Sequence, residues 1–149
     1  MERLAKQNRR ERTGDQRNIP SPDLEPSERT WQTLRYHDLD HLLPSHLQEA
    51  TRALDAIDRN APTLDTVHAL AELEFLAARR LEHRAPDDAV SWYMKCVLHS
   101  YTYLFDPRFD ALRTGYDPQF RTACDLYNTA LEQFLRYAQD RDMIQPGRN

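Results

Sequence analysis

At 149 residues, with 40% hydrophobic and 30% charged side chains, the chain is long enough for one domain with a modest core. Its three glycines, Gly14, Gly115 and Gly147, lie too far apart to share a phosphate-cradling loop, and so few argue against a turn-rich β domain. A formal charge of −4 argues against a general nucleic-acid binder, which needs a net basic face.

Residues 1–30 mix Arg, Lys, Gln and Asn with a run broken by Pro20, Pro22 and Pro26, and Leu4, Ile19 and Leu24 are what could anchor them. So little apolar surface does not offset roughly 1–2 kcal/mol per residue of backbone ordering, so a disordered basic, proline-rich arm is expected here. The expected organisation is therefore an arm over 1–30, a helical domain over 31–141 and a tail over 142–149. The first ten residues carry the charge of a secretion signal, but no apolar run follows them, and no stretch reaches membrane-spanning length. A cytoplasmic protein that neither binds nor crosses a membrane is the default expectation.

From Trp31 to Leu43, the apolar residues Trp31, Leu34, Leu39, Leu42 and Leu43 suit a short helix docked on the body, interrupted by Pro44. Ser45 followed by Gln48 resembles a capping box, and Leu47, Ala50, Leu54 and Ile57 then form a helical stripe that Asn60-Ala61-Pro62 ends. A second long helix is expected from Thr63 to about Arg84. Its apolar face, Leu64, Val67, Leu70, Ala71, Phe75, Ala78 and Leu81 widened by Leu73, Leu76 and Ala77, is broad enough for helices on two sides. Pro86-Asp87-Asp88 starts the next helix, whose stripe is Ala89, Trp92, Tyr93, Cys96, Val97, Ser100, Tyr103 and Leu104. Asp106-Pro107 redirects it. Asp117 as N-cap and Pro118 at the first helical position then open a last helix. Phe105-Asp106-Pro107-Arg108-Phe109 and Tyr116-Asp117-Pro118-Gln119-Phe120 share one pattern, so the first should start a short helical turn or two closing near Gly115.

The sum is an all-α fold of antiparallel helical hairpins, about four to five helices, either tetratricopeptide-like or a generic bundle. Leu73, Leu76, Ala77, Ala89, Tyr93 and Cys96 fit the tetratricopeptide positions, whereas Arg80 and Tyr101 do not. Phe120, Ala123, Cys124 and Tyr127 match the first half of a second unit. They lie 47 positions on from the first, against about 34 for that repeat.

The stretch Ser100-Tyr101-Thr102-Tyr103-Leu104-Phe105, then Tyr116 to Leu131, above all Ala123-Cys124-Asp125-Leu126-Tyr127-Asn128, resembles the helical N-terminal region of certain large bacterial α/β-hydrolase-fold proteins. Trp92-Tyr93 and Ala71-Glu72-Leu73-Glu74-Phe75-Leu76-Ala77 are similar too, so the likeness covers residues 65 to 136. The resemblance implies a hydrolase domain downstream, with its serine on a strand–turn–helix elbow. None of Ser21, Ser27, Ser45, Ser91 or Ser100 has the flanking glycines of such an elbow, so the family's catalytic residues have no positions here.

His37, His41 and His46 with Asp38 and Asp40 form the densest ligand-type cluster, and His37 and His41 would share a helix face as zinc ligands can. Surface histidines near a helix end are the preferred reading, with no metal or cofactor expected. Cys96 and Cys124 read as buried, inert thiols; His99, three residues from Cys96, has nothing evident to orient it. Trp92, Tyr93, Tyr101, Tyr103 and Tyr127 either line a groove or fill the core, with core preferred on spacing. Asn128 is expected to hold the 105–117 loop through its amide or else to face a partner. The expected function is a non-catalytic helical interaction or packing module, an accessory part of an α/β-hydrolase, with a protein or that hydrolase domain as partner. The alternative is a small metal-binding protein or enzyme using the His37–His46 region.

Overall fold

A computed structural model describes residues 25–141. Of the arm expected over 1–30, residues 1–24 lie outside the described residues, as does the tail over 142–149. Five α-helices follow in chain order: α1 (Glu28–Tyr36), α2 (Leu47–Asn60), α3 (Leu64–Leu81), α4 (Pro86–Phe105) and α5 (Pro118–Asp140). Single 3₁₀ turns at Asp40–Leu42 and Pro107–Phe109 join α1 to α2 and α4 to α5, and the described residues contain no strand. The all-helical class is as the periodicity indicated.

α3 is the axis of the fold. It touches α1, α2, α4 and α5, and every residue from Thr66 to Ala78 is buried. The broad apolar face of α3 therefore serves four neighbours instead of two. Facing pairs run in opposite senses along α3 and α4: His68 lies against Tyr103, Glu74 against His99 and Phe75 against Tyr93. The two helices are thus an antiparallel hairpin, closed by four residues. Leu70, Leu73, Leu76, Ala77, Tyr93, Cys96, Leu126 and Ala130 form the main core, and Val67, Tyr103, Leu104, Phe109 and Ala123 a second cluster at one end.

Helix starts follow sequence chemistry in three places. Thr63 caps α3 by accepting from Thr66 N–H, while the Thr66 hydroxyl accepts from Thr63 N–H. Asp106 and Asp117, the two halves of the echoed pattern, each accept the N–H two residues on, ahead of a proline. At the 3₁₀ turn the Arg113 guanidinium donates to the Tyr103 and Asp106 carbonyls, supplying partners to the open C-terminal end of α4.

Two boundaries differ from expectation. The ordered body begins four residues earlier than Trp31, because Ser27 caps α1 by accepting from Thr30 N–H. α2 has His46 as N-cap with no side-chain cap, so Ser45 and Gln48 do not form the expected box. Beyond α1, Asp38 takes a left-handed φ of 56°, with Leu39 N–H bonded to Leu34 C=O and Asp38 N–H to Arg35 C=O. That is a Schellman ending with aspartate where glycine is usual.

Candidate functional site

Buried polar side chains concentrate on α3, which carries Glu72 (0% exposed), Glu74 (1%) and His68 (2%) inside the bundle. Groups of this kind are costly to bury without partners. Glu74 accepts from His99 Nδ1 on α4 at 2.9 Å, and His99 Nε2 lies 3.6 Å from Asp55 on α2. Burial alone would lower the His99 pKa; the hydrogen bond and charge of Glu74, with Asp55 and Asp58, outweigh it and raise the pKa above the ordinary value. Burial also raises the Glu74 carboxyl, with His99 acting against the rise.

His99 borders a cleft of about 310 Å³ between α2 and α4, floored by Glu74. Arg52, Asp55, Asp58 and Arg59 line it from α2, and Trp92, Lys95, Leu98 and Thr102 from α4. The Thr51 and Thr102 hydroxyls there each donate to the carbonyl four residues back in their own helices. Neither is aimed at the imidazole. Chemically the cleft therefore combines charged groups with apolar surface.

Glu72 forms a different junction. It accepts from Ser27 N–H, from Ser27 Oγ at 2.9 Å and from Thr30 Oγ1 at 3.0 Å, which ties the N-terminus of α1 to α3. Burial pushes its carboxyl up, and the Ser27 and Thr30 bonds hold back part of the rise. Arg29 completes the seam with two bonds to Asp117 at 2.7 and 2.8 Å and one to Asp65 at 3.1 Å. Beneath it, neither ring nitrogen of His68 has a hydrogen-bond partner among the described residues; Glu72 Oε2 stands 3.8 Å away, too far for one. Burial, helped by the Arg29 charge, lowers the His68 pKa to about 4, so its ring is neutral at pH 7.

The aromatic residues divide. Trp92, Tyr93 and Tyr103 are core. Tyr101 is 53% exposed; its ring centroid is 4.8 Å from Phe105 and 6.4 Å from half-buried Tyr127. Leu98 (58% exposed) and Phe105 (56%) lie on the same line of α4, since 98, 101 and 105 are three and four residues apart. Asn128 does not hold the loop: it is exposed beside Asp125, Thr129 and Glu132, and Arg113 makes the loop contacts instead.

His37 and His41 do not share a helix face, because α1 ends at Tyr36 and His41 lies in the 3₁₀ turn. His37 lines a separate cavity of about 540 Å³ between α1 and the α2–α3 turn, and His46 is exposed. Asp38, Asp40 and His41 do converge, with ligand atoms within 4.8 Å of one another. Cys96 is buried and its thiol is pushed well up, first by burial and then by the Glu74 charge. Cys124 is half-buried, and burial raises it too.

The residues that sequence reasoning passed over are Glu72, Glu74 and Asp55. Two acids two positions apart in a helix with a broad apolar face were the available signal: Glu72 and Glu74 lie about 200° apart around the axis, so on a helix packed on several sides they cannot both reach solvent. His99 was noticed without its partner, which lies 25 positions away on α3. Among the described residues no helix is long and apolar enough to cross a membrane. No protein-family model, curated protein or solved structure matches the chain.

Proposed function

We propose that the chain is a non-catalytic helical module that works by contact with a protein partner. The observation that carries this reading is the line of Leu98, Tyr101 and Phe105, each more than half exposed along one side of α4. A contiguous apolar ridge on a surface otherwise well supplied with charge marks a contact site. The α3–α4 hairpin, with Leu73, Leu76, Ala77, Ala89, Tyr93 and Cys96 all buried, is in keeping with a tetratricopeptide-like unit. The resemblance of residues 65 to 136 to hydrolase N-terminal regions adds an α/β-hydrolase domain as the expected partner.

Selection of a random-peptide display library on the full chain tests the reading. Enriched peptides should lose binding to Phe105→Asp and keep it for Gln139→Ala, an exposed change on α5. A library with no enrichment rejects the proposal. Ester hydrolysis by the purified chain above the buffer rate contradicts the non-catalytic part.

A second reading rests on the convergence of Asp38, Asp40 and His41, which suits a divalent cation. Calorimetric titration with Zn²⁺ decides it. A dissociation constant of about micromolar or tighter, lost in His41→Ala, supports the site, and weaker binding ends the idea.

A further inference from the structure

Two cations converge on one indole where the α2–α4 cleft opens. The Arg52 guanidinium carbon is 5.7 Å from the Trp92 ring centroid, and the Lys95 ammonium is 4.4 Å from it. Each is drawn to the negative face of the ring, but the ring neutralises neither, and the two repel one another. The nearest carboxylates are already engaged. Asp55 pairs with Arg59 at 2.7 Å and faces His99, Asp58 accepts from Thr66 Oγ1 at 2.6 Å, and Glu74 accepts from His99.

At the mouth of the cleft Arg52 and Lys95 form a positive pair that has no carboxylate partner within salt-bridge distance among the described residues. It occurs on a chain whose formal charge is −4.

Leu98 joins this cationic mouth to the apolar ridge, since it lines the cleft and is also the first residue of the Leu98–Tyr101–Phe105 line. From Lys95 to Phe105 the surface runs along about 15 Å of helix, roughly three turns. Its order is fixed: positive charge first, then apolar side chains at helical spacing.

We propose that this surface receives an acidic amphipathic helix of a partner protein. The partner's carboxylates sit between Arg52 and Lys95, and its apolar stripe lies along Leu98, Tyr101 and Phe105. This rests on the interaction-module reading and adds the partner's chemistry and register to it. The apolar stripe supplies contact area, the partner helix lying alongside α4 with apolar anchors at helical spacing. The cation pair sets register and selects against basic segments, whose like charges it repels.

The test uses the full chain and three fluorescein-labelled pools of 15-residue peptides. All carry the same Leu and Phe stripe at helical spacing on an Ala/Gln background, with two Glu, two Gln or two Lys placed one turn beyond either end of the stripe. Fluorescence anisotropy should show the Glu pool binding at least about tenfold more tightly than the Gln pool, and the Lys pool most weakly. The double variant Arg52→Glu, Lys95→Glu should invert that order, and Phe105→Asp should weaken all three pools. These side chains are exposed, so the variants should keep the wild-type circular dichroism spectrum. Equal binding of the Glu and Lys pools, or an acid preference that survives the double reversal, overturns the proposal. If Phe105→Asp still removes binding in that case, the module reading stands and the acidic partner alone is rejected. Failure of every pool to bind rejects the acidic helix as occupant, and the display selection then decides the module reading independently.

Discussion

Glu74 on α3 and His99 on α4, 25 positions apart in the chain, share a hydrogen bond of 2.9 Å inside the bundle. Glu74 is almost fully buried, and His99 is the only hydrogen-bond donor its side chain has among the described residues. Removing the imidazole leaves the Glu74 carboxyl without its donor at the floor of the cleft. Breaking a buried pair from one side typically costs about 3–5 kcal/mol; the partial exposure of His99 reduces the expectation here to roughly 1–3 kcal/mol. Urea unfolding of His99→Ala should show a loss of that size, and the double variant His99→Ala, Glu74→Leu should recover most of it. A His99→Ala protein as stable as the wild type would mean that the pair does not hold α4 to α3.

The same pair gives stability a sign on the alkaline side. The folded pKa of His99 is raised, so its contribution is complete below the unfolded value and is lost as pH rises through the folded one. His68 acts oppositely. Its folded pKa is depressed from 6.5 to about 4, so the unfolded chain takes up a proton between those values while the folded chain does not. Stability from His68 is therefore full above pH 6.5 and falls as pH drops toward 4, by up to roughly 3 kcal/mol. Glu72 and Glu74, both raised, oppose the acid loss, so the measurement is a difference. The melting temperature of His68→Phe minus that of wild type should grow as pH falls from 6.5 to 4 and be flat above it.

His68→Phe should also be more stable than wild type at pH 7. Two buried ring nitrogens without partners cost about 1–3 kcal/mol, and a phenyl ring keeps the edge-on contact with Tyr103, whose centroid is 5.5 Å away. Chemical denaturation should show a gain of roughly 1–2 kcal/mol. A loss of stability would mean that the imidazole is satisfied in solution by a bridging water.

The Ser27–Glu72 junction should control α1. Ser27→Ala removes the side-chain cap of the helix and one hydroxyl donor to the carboxylate, at a cost of about 1–2 kcal/mol. The loss should be local: faster amide exchange over 28–36 with little change in α3 and α4, because α1 meets the body mainly along α3. Uniform acceleration across all five helices would show that α1 belongs to the cooperative unit.

Asp38 supplies a backbone prediction. At φ 56° a β-branched side chain is strained, so Asp38→Val should lie about 1–2 kcal/mol below Asp38→Gly. Equal stabilities would show that the turn relaxes out of the left-handed region.

Periodicity and end signals made the helices legible: the starts at Thr63, 106–107 and 117–118 stand where composition puts them, because a cap bonds only to its own first turn. The start at 86–88 stands there without a side-chain cap, with Pro86 at the first position and Asp87 and Asp88 in the first turn. The Ser45 box failed for a reason of the same range. His46 takes the cap position, one residue late for the Ser45 hydroxyl. For the aromatics, spacing favoured core and was right for Trp92, Tyr93 and Tyr103. Tyr101 is instead half exposed, its ring centroid 6.4 Å from that of half-buried Tyr127 on α5.

By itself, then, the sequence determined an all-helical chain, most of its helix limits and the identity of its core stripe, since each of these depends on contacts within a few residues. Only the tertiary structure decided that α3 is enclosed on every side. That enclosure turns Glu72 and Glu74 from ordinary helix acids into buried anchors for Ser27 and His99, 45 and 25 positions distant. It also decided that Leu98, Tyr101 and Phe105 stay uncovered beside Arg52 and Lys95. The physical reason is common to both outcomes: the cost of burying charge or exposing apolar surface depends on which helices lie alongside, and a linear pattern carries no record of its neighbours.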